Sequence, residues 1–232
     1  DEEWIVASER EFPVTIDPVV FTKSTREAID STFLTSKSGT TSTNYSDRLE
    51  TIVGRESESY EYCRTLMKFD LNDLNLGDMV VDAKLNFYVY DVDRYASTTP
   101  DLQVDAHIIT SSWNYTTVTW SNQPSKESTV LDYQYIDSAQ ASGAWYEYDI
   151  TRAVKSWYEG NSNYGILLKA ADESSDYAVN GVKASIWPER YNDVTDGYPF
   201  LTITYRNNKG LEDYWTYTSG SAGSAGSVYV ND

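Results

Sequence analysis

Residues 145–170 read WYEYDITRAVKSWYEGNSNYGILLKA and hold the clearest helical pattern in a chain otherwise dominated by strand patterns. Tyr146 and Tyr148 first alternate with polar neighbours, as a half-buried strand requires. The apolar period then changes to that of one helical face, formed by Ile150, Ala153, Val154, Trp157 and Tyr158. The stretch therefore predicts a strand, a helix near 151–158 and a second strand from Tyr164 to Ala170.

Residues that commonly cap helices stand at both ends of this predicted helix. Asp149 or Thr151 can accept the free amide hydrogens at its start, and Gly160 can adopt the left-handed conformation that stops it. We therefore expect the helix to be short.

Alternating strand patterns occupy most of the remaining chain. The longest runs from Met79 to Tyr90, with Val81, Ala83, Leu85, Phe87 and Val89 on its apolar face. The other predicted strands are Ile29–Thr35, Leu49–Val53 (ending at Gly54), Arg64–Leu71, Leu102–Ile108, Val182–Trp187 and Phe200–Tyr205. Strands with one apolar face predict two antiparallel sheets around a shared core. The predicted fold class is all-β, an antiparallel β-sandwich of jelly-roll type with one short capping helix, and this excludes most enzyme folds.

The pattern divides the chain into three parts. Residues 1–21, with prolines at both ends of a short extended segment, form a lead-in, and 22–206 form the sandwich. Residues 207–232 contain a stretch rich in Gly, Ser and Ala, which is typical of a linker into another module. Neighbouring domains of a longer parent chain are therefore expected partners.

The charge balance argues against several classes of partner. Lys and Arg total 18 against 36 Asp and Glu, for a net charge of −18 in 232 residues. Nucleic acid is a poor partner because phosphate binding needs clustered positive charge. Strongly acidic glycans are disfavoured for the same reason. No apolar run approaches the length of a membrane span, so we expect no membrane insertion.

The sequence offers little for catalysis. The chain has one histidine, His107, on the outward register of its predicted strand, and one cysteine, Cys63, just before another predicted strand. Neither residue lies in a recognisable nucleophile motif, and no Gly-x-Ser-x-Gly elbow is present. Paired carboxylates could cleave glycosides, but with so many acidic residues some proximity arises by chance. We expect no enzyme activity.

Calcium is the one cofactor that the acidic residues support. Calcium takes clustered carboxylate and carbonyl oxygens, commonly from loops. The candidates are Asp91 and Asp93, where the long strand is predicted to end, and Asp30, where another strand begins. Further loop acids are Asp172, Glu173, Asp176, Asp193 and Asp196. None has EF-hand spacing, so turn capping and solubility explain them equally well.

A sugar site would need exposed aromatic rings and a few fixed polar side chains. Tyr45, Trp113, Tyr115 and Trp120 lie in or near predicted loops, and Arg64 can donate paired hydrogen bonds to a sugar. The alternative is that these aromatic residues close the ends of the sandwich core. Both interpretations stay open from sequence alone.

A lysine beside an acid in a surface β-sandwich can form an isopeptide cross-link. Lys68, Lys84 and Lys169 lie within predicted strands, but all three fall on registers that point outward. Such a cross-link needs a buried lysine, so we do not expect one here.

Seven separated segments carry a further pattern: Asp30–Leu34, Asn44-Tyr45, Arg64 with Lys68–Leu71, Ala83–Asn86, Thr119–Pro124, Asp149–Thr151 and Asn163–Gly165. In this order they resemble the DNRLRE modules, which are similar to carbohydrate-binding modules of jelly-roll type. The resemblance spans about residues 26–206. The segment Ser46–Glu50 (SDRLE) is only loosely similar to the hexapeptide that names the family.

The flanking segments Phe12–Pro18 and Asn208–Trp215 resemble those that border this module in wall-associated proteins of the Rhs (YD-repeat) type. This resemblance implies a non-catalytic accessory module of an extracellular protein, secreted or associated with the cell wall. The implied function is carbohydrate-binding-like recognition of a neutral glycan or cell-wall polysaccharide. The alternative is a structural spacer or shell domain that binds no soluble ligand.

Overall fold

Strands account for nearly all regular structure in a computed structural model of the chain. The structure describes residues 19–23, 29–55, 62–72, 79–140, 143–173, 181–189, 197–206, 216–218 and 227–229. The strands are β1 Val19–Lys23, β2 Ile29–Thr35, β3 Thr51–Arg55, β4 Tyr62–Phe69, β5 Met79–Arg94, β6 Leu102–Ile108, β7 Asp132–Ile136, β8 Ala144–Asp149, β9 Ile166–Ala170, β10 Val182–Ile186, β11 Phe200–Arg206, β12 Thr216–Thr218 and β13 Ser227–Tyr229. The helix α1 spans Thr151–Tyr158, and a 3-10 turn spans Trp120–Asn122.

Eleven of these strands form one antiparallel sheet that curls on itself. Its order is β1-β11-β5-β10-β3-β4-β9-β6-β7, with β2 also paired to β4 and β8 also paired to β5. The strands β8, β5 and β11 face β4, β9 and β6 across a shared apolar core. The prediction of an all-β antiparallel sandwich with one short helix is confirmed.

Two outer strands of the curled sheet, β7 and β8, come together. Gln134 Nε2 donates a 2.8 Å hydrogen bond to the carbonyl of Glu147, and the amide of Asp149 donates a 2.7 Å bond to Asp132 Oδ2. Side-chain bonds therefore bridge an edge that backbone pairing leaves open. This bridging limits the exposure of unpaired strand edges.

Helix α1 covers one end of the core. Ala153, Val154 and Trp157 are buried on it, as the helical pattern predicts. Asp149 Oδ1 accepts a 2.9 Å hydrogen bond from the amide of Thr151, whose hydroxyl in turn accepts a 2.9 Å bond from the amide of Ala83 on β5. The residue that starts the helix therefore also ties it to the sheet.

A second, smaller core lies against the opposite face of β4 and β9. It contains Leu34, Leu66, Ile109, Val118 and Leu167. The segment that follows β6 covers it, so these strands are buried on both faces. This arrangement explains why Leu66 and Leu167 break the simple alternation of their strands.

Some predicted boundaries and registers differ from the structure. The strand predicted at Leu49–Val53 is Thr51–Arg55, with Gly54 inside it at φ +106°. On β5 it is Val80 that is buried, whereas Val81 is 39 % exposed. A register shift between β5 and β11 at Thr204 reverses the alternation at that end of the strand.

The termini are only partly described. β1 lies partly within the predicted lead-in and pairs with β11, while β12 and β13 form a separate two-stranded sheet. The other residues of the lead-in and linker lie outside the described ranges, so those roles stay predictions. Within the described ranges, no helix has the length and apolar character needed to cross a bilayer.

Candidate functional site

An open groove of about 750 Å³ lies where the loop before β3 meets the ends of β5 and β10. Its lining combines aromatic rings, an aliphatic side chain and polar groups. The lining residues are Thr43, Asn44, Tyr45, Asp47, Arg48, Leu49, Glu50, Tyr90 and Trp187. We refer to it as the aromatic groove.

One wall of the aromatic groove is a pair of stacked rings. Tyr90 and Trp187 lie with ring centroids 3.8 Å apart and planes inclined by 17°. The Tyr90 hydroxyl donates a 3.1 Å hydrogen bond to Glu50 Oε2. Burial, followed by the nearby Glu50 carboxylate, raises the pKa of Tyr90 to about 12. The hydroxyl therefore stays protonated at neutral pH and holds the ring in place.

Tyr45, one of the residues predicted to bind a ligand, also lines the aromatic groove. Its ring stacks on Phe33 with centroids 4.5 Å apart, and the Arg48 guanidinium lies 6.0 Å from the ring centroid. Tyr45 is half-buried, and Leu49 nearby is 56 % exposed. The groove therefore presents apolar surface together with a cation and carboxylates.

Hydrogen bonds to a second loop fix the conformation of the loop that carries Tyr45. Asn44 Nδ2 donates to the carbonyls of Tyr115 and Val118 at 3.0 and 2.7 Å, and Asn44 Oδ1 accepts from Ser46. The Tyr115 hydroxyl donates to the carbonyl of Ser46. Tyr115, also predicted to contact ligand, thus supports the loop that carries Tyr45.

Arg64 lies in a different cluster. Its Nε and Nη2 donate to the two carboxylate oxygens of Glu173 at 2.9 and 2.5 Å, and Nη1 donates to Gln123 Oε1 at 2.6 Å. The guanidinium also lies 4.5 Å from the Trp120 ring centroid. This arginine cluster (Arg64, Trp120, Gln123 and Glu173) joins two loops to β4.

Trp113 and Trp120 both pack against the second core. The Trp113 indole donates a 2.7 Å hydrogen bond to the carbonyl of Tyr164. The structure thus places Tyr45 in the lining of the groove and Tyr115 against the loop that carries Tyr45, whereas Arg64, Trp113 and Trp120 are not among the lining residues. Ligand contact by any of the five stays a prediction.

His107 lies on the outward register of β6, away from the main core, as the sequence predicts, but a covering segment shields it from solvent. Its side chain is 3 % exposed, because the segment after the 3-10 turn folds over β6. His107 Nδ1 lies 3.0 Å from the carbonyl of Glu127 and 3.2 Å from that of Thr129. Burial, and then the neighbouring Lys126 ammonium, lower the pKa of His107.

Cys63 lies within β4 rather than before it, and its side chain is buried beside Phe33 and Ile52. His107 lies on β6, against the carbonyls of Glu127 and Thr129. The described geometry does not bring the thiol and the imidazole into one cluster.

The three acids predicted as calcium candidates are spread over the sheet. Asp91 and Asp93 lie in the last residues of β5, which extends to Arg94 instead of ending at Tyr90, and Asp93 pairs with Lys183 at 2.9 Å. Asp30 lies opposite Lys68 in the β2–β4 ladder. Within the described ranges, no three His, Cys, Asp or Glu side chains are grouped so that they could hold a metal ion. Asp176, Asp193 and Asp196 lie outside those ranges, so calcium stays a prediction.

The three strand lysines are half-buried. Lys84 forms ion pairs with Asp82 and Asp149 at 3.3 and 3.2 Å, and Lys169 lies 3.8 Å from Glu173. These are non-covalent distances.

Tyr90 and Trp187 are not among the site residues predicted from sequence. Both lie at the ends of predicted strands, and nothing local distinguishes them from other surface aromatics. Their meeting depends on the pairing of β10 with β5, which brings residues 90 and 187 together.

The model of carbohydrate-binding module family 96 matches residues 22–185, well over half of the chain.

The chain is also similar to part of some much larger proteins. It is 26 % identical over 216 residues to the tRNA3(Ser)-specific nuclease WapA of Bacillus spizizenii, and equally to the tRNA nuclease WapA of Bacillus subtilis. These matches cover 90 % of this chain but only 8 % of the length of each relative.

Proposed function

The chain belongs to carbohydrate-binding module family 96, and we propose that it is a non-catalytic module that binds a neutral glycan in the aromatic groove. The observation that carries this proposal is the stacked pair of Tyr90 and Trp187, which lines the same groove as Tyr45. Aromatic rings bind the apolar faces of sugars, and nearby polar side chains bond the hydroxyls.

The rings are held before any ligand arrives. Tyr90 is fixed by Trp187 and Glu50, and Tyr45 is fixed by Phe33 and by the loop that Asn44 braces. Fixed rings lose little conformational entropy on binding, which favours affinity. The groove therefore has the rigidity that a recognition site needs.

The charges in the groove favour an uncharged ligand. Asp47 and Glu50 outnumber Arg48 in the lining, and the whole chain carries a net charge of −18. An anionic glycan would meet repulsion from both sources. Neutral polysaccharides, including those of cell walls, avoid it.

We propose that the module is extracellular, as part of a secreted or wall-associated protein of the Rhs type. Support comes from the resemblance of the flanking segments and from the family to which the chain belongs. The nuclease activity in the names of the relatives belongs to proteins of which this chain matches 8 %. In such a protein the module would hold the larger chain against a polysaccharide.

A pull-down against insoluble neutral polysaccharides and cell-wall preparations tests the proposal. We expect saturable retention of the wild-type chain, and at least about tenfold weaker retention for Trp187→Ala or Tyr45→Ala, as for anchor residues of other interfaces. Tyr135→Ala is the matched control, since Tyr135 is 58 % exposed on β7 and absent from the groove.

Two results would contradict the proposal. The first is no retention on any neutral polysaccharide, which is what a structural spacer predicts. The second is retention that both groove variants keep unchanged while circular dichroism shows them folded.

A further inference from the structure

Three aromatic residues lie in one row across neighbouring strands. Tyr88 on β5 pairs with Trp145 on β8, and on the other side its carbonyl accepts a 3.2 Å hydrogen bond from the amide of Trp187. The row therefore runs perpendicular to the strands, from the wall of the aromatic groove to β8. We refer to Trp187, Tyr88 and Trp145 as the aromatic row.

The row lies on the outer face of its layer. Phe87 and Val89, the neighbours of Tyr88 along β5, are fully buried in the core, so Tyr88 points away from the core. Trp145 is 44 % exposed. Its ring meets Tyr88 edge-on at 5.4 Å and Phe200 at 5.3 Å between centroids. These contacts hold a large aromatic surface in contact with solvent.

The row continues the groove without a break in the sheet. Adjacent strands lie about 4.7–4.9 Å apart, so the row extends roughly 10 Å from β10 to β8. Trp187 belongs to both the groove and the row. A ligand confined to the groove would leave Tyr88 and Trp145 unused.

We infer that the aromatic row extends the glycan site, so that the ligand is an extended oligosaccharide or polysaccharide chain that runs from the groove across Tyr88 to Trp145. This inference rests on the proposed function and specifies its substrate class. It assigns Trp145 as a distal contact that determines selectivity for chain length.

The groups beside the row suit an uncharged chain rich in hydroxyls. Asn86 and Glu147 pair across β5 and β8 next to it and can bond hydroxyls. Lys84, on the same strand as Tyr88, is engaged by Asp82 and Asp149 at 3.3 and 3.2 Å. Polar groups flanking aromatic rings fit a sugar chain better than an apolar protein surface.

The experiment is calorimetric titration with a length series of the glycan that the wild-type chain retains, from the disaccharide upward. Affinity of the wild type is expected to rise with length beyond what the groove holds. Trp145→Ala should weaken binding of the longest member at least about fivefold and leave the disaccharide unchanged. Trp187→Ala should weaken both, whereas Tyr135→Ala should change neither.

The outcomes separate this inference from the proposed function. If the wild type binds and Trp187→Ala weakens it, but Trp145→Ala equals the wild type at every length, the extension is wrong and the groove remains. Equal loss for short and long ligands in Trp145→Ala also overturns it. If no length binds the wild type, the proposed function itself fails. Should Trp145→Ala not fold, Trp145→Gln removes the ring while keeping a long side chain, and the same comparison applies.

Discussion

At the scale of single residues, Tyr90 shows how a surface aromatic becomes part of a site. Trp187 covers one face of its ring, and Glu50 accepts the hydrogen bond of its hydroxyl. The ring cannot rotate away from the groove without losing both contacts. A solvent-facing tyrosine on the same strand pattern would have neither restraint.

His107 shows the opposite case, a polar residue that a loop buries. Strand alternation places it on the face away from the main core, which is correct. That face is not solvent, however, because the segment with Lys126 and Glu127 folds over it. Alternation gives the face of a residue but not what covers that face, so the burial could not be predicted.

The first prediction at this scale concerns the titration of His107. Nδ1 faces two carbonyl oxygens, so the neutral ring carries its proton there, and Lys126 Nζ lies 3.3 Å from Nδ1 and 3.5 Å from Nε2. Protonation would bury a charge beside Lys126 and near Lys169, and the hydrogen bond to the Thr129 carbonyl and the Asp105 carboxylate oppose this only in part. The folded pKa lies below the ordinary 6.5, so the associated stability is complete above pH 6.5 and is lost as the pH falls through the folded value.

NMR measures this directly, since the chain has a single histidine. The imidazole resonance of the folded chain should titrate at lower pH than that of the urea-unfolded chain. A folded midpoint at or above the unfolded one would show that the ring is solvated or paired with a carboxylate.

The residues predicted to bind a ligand differ in whether their neighbours leave them available for it. Tyr45 was predictable because it lies in a polar loop. Arg64 has the hydrogen-bond donors that a sugar-binding residue needs, yet these donors are already bonded to Glu173 and Gln123. Those partners come from segments 109 and 59 residues away along the chain, so local sequence gave no sign of them.

At the scale of elements, periodicity predicts the helix and most of the strands, but it does not predict β7. In β7 the aromatic side chains face solvent and the polar side chains face a neighbouring strand, which reverses the usual pattern. Its tyrosines, Tyr133 and Tyr135, are 51 % and 58 % exposed, while Asp132 and Gln134 reach the backbone of β8. A rule that puts apolar side chains inward finds no consistent core face in such a segment.

Turn glycines give the clearest prediction at this scale. Gly165, just before β9, and Gly39, in the loop after β2, have nearly equal φ values of +88° and +82°. A Cβ at Gly165 would collide with the carbonyl of Met67 and with Lys68, whereas one at Gly39 would meet nothing within 4 Å. We expect Gly39→Ala to cost about 1 kcal/mol for the left-handed conformation alone, and Gly165→Ala at least about 2 kcal/mol more.

Urea unfolding of the two variants and the wild type measures these costs. Because the backbone strain is matched, the difference between the variants reports the collision with β4. Equal destabilisation would mean that β9 can move away from β4 at Gly165, and that the pairing there is looser than described.

At the scale of the whole molecule, the two layers of the curled sheet differ in what lies on their outer surfaces. A covering segment with Trp113 and Trp120 buries part of one face over the second core. The outer surface of the other layer carries Tyr90, Trp187 and Trp145 in contact with solvent. The fold class followed from alternation and composition, whereas the groove depends on how distant strands pair, and so became visible only in three dimensions.

The central claim is that this face binds a neutral glycan at the aromatic groove. The most direct test is a two-dimensional ¹H–¹⁵N NMR titration with a retained oligosaccharide, following the indole and backbone signals. The account predicts shifts of the Trp187 indole and of the backbone around Tyr45, while the Trp113 indole, bonded to a carbonyl at 2.7 Å, stays unmoved. Shifts confined to the face of Tyr133 and Tyr135, with Trp187 unchanged, would contradict it.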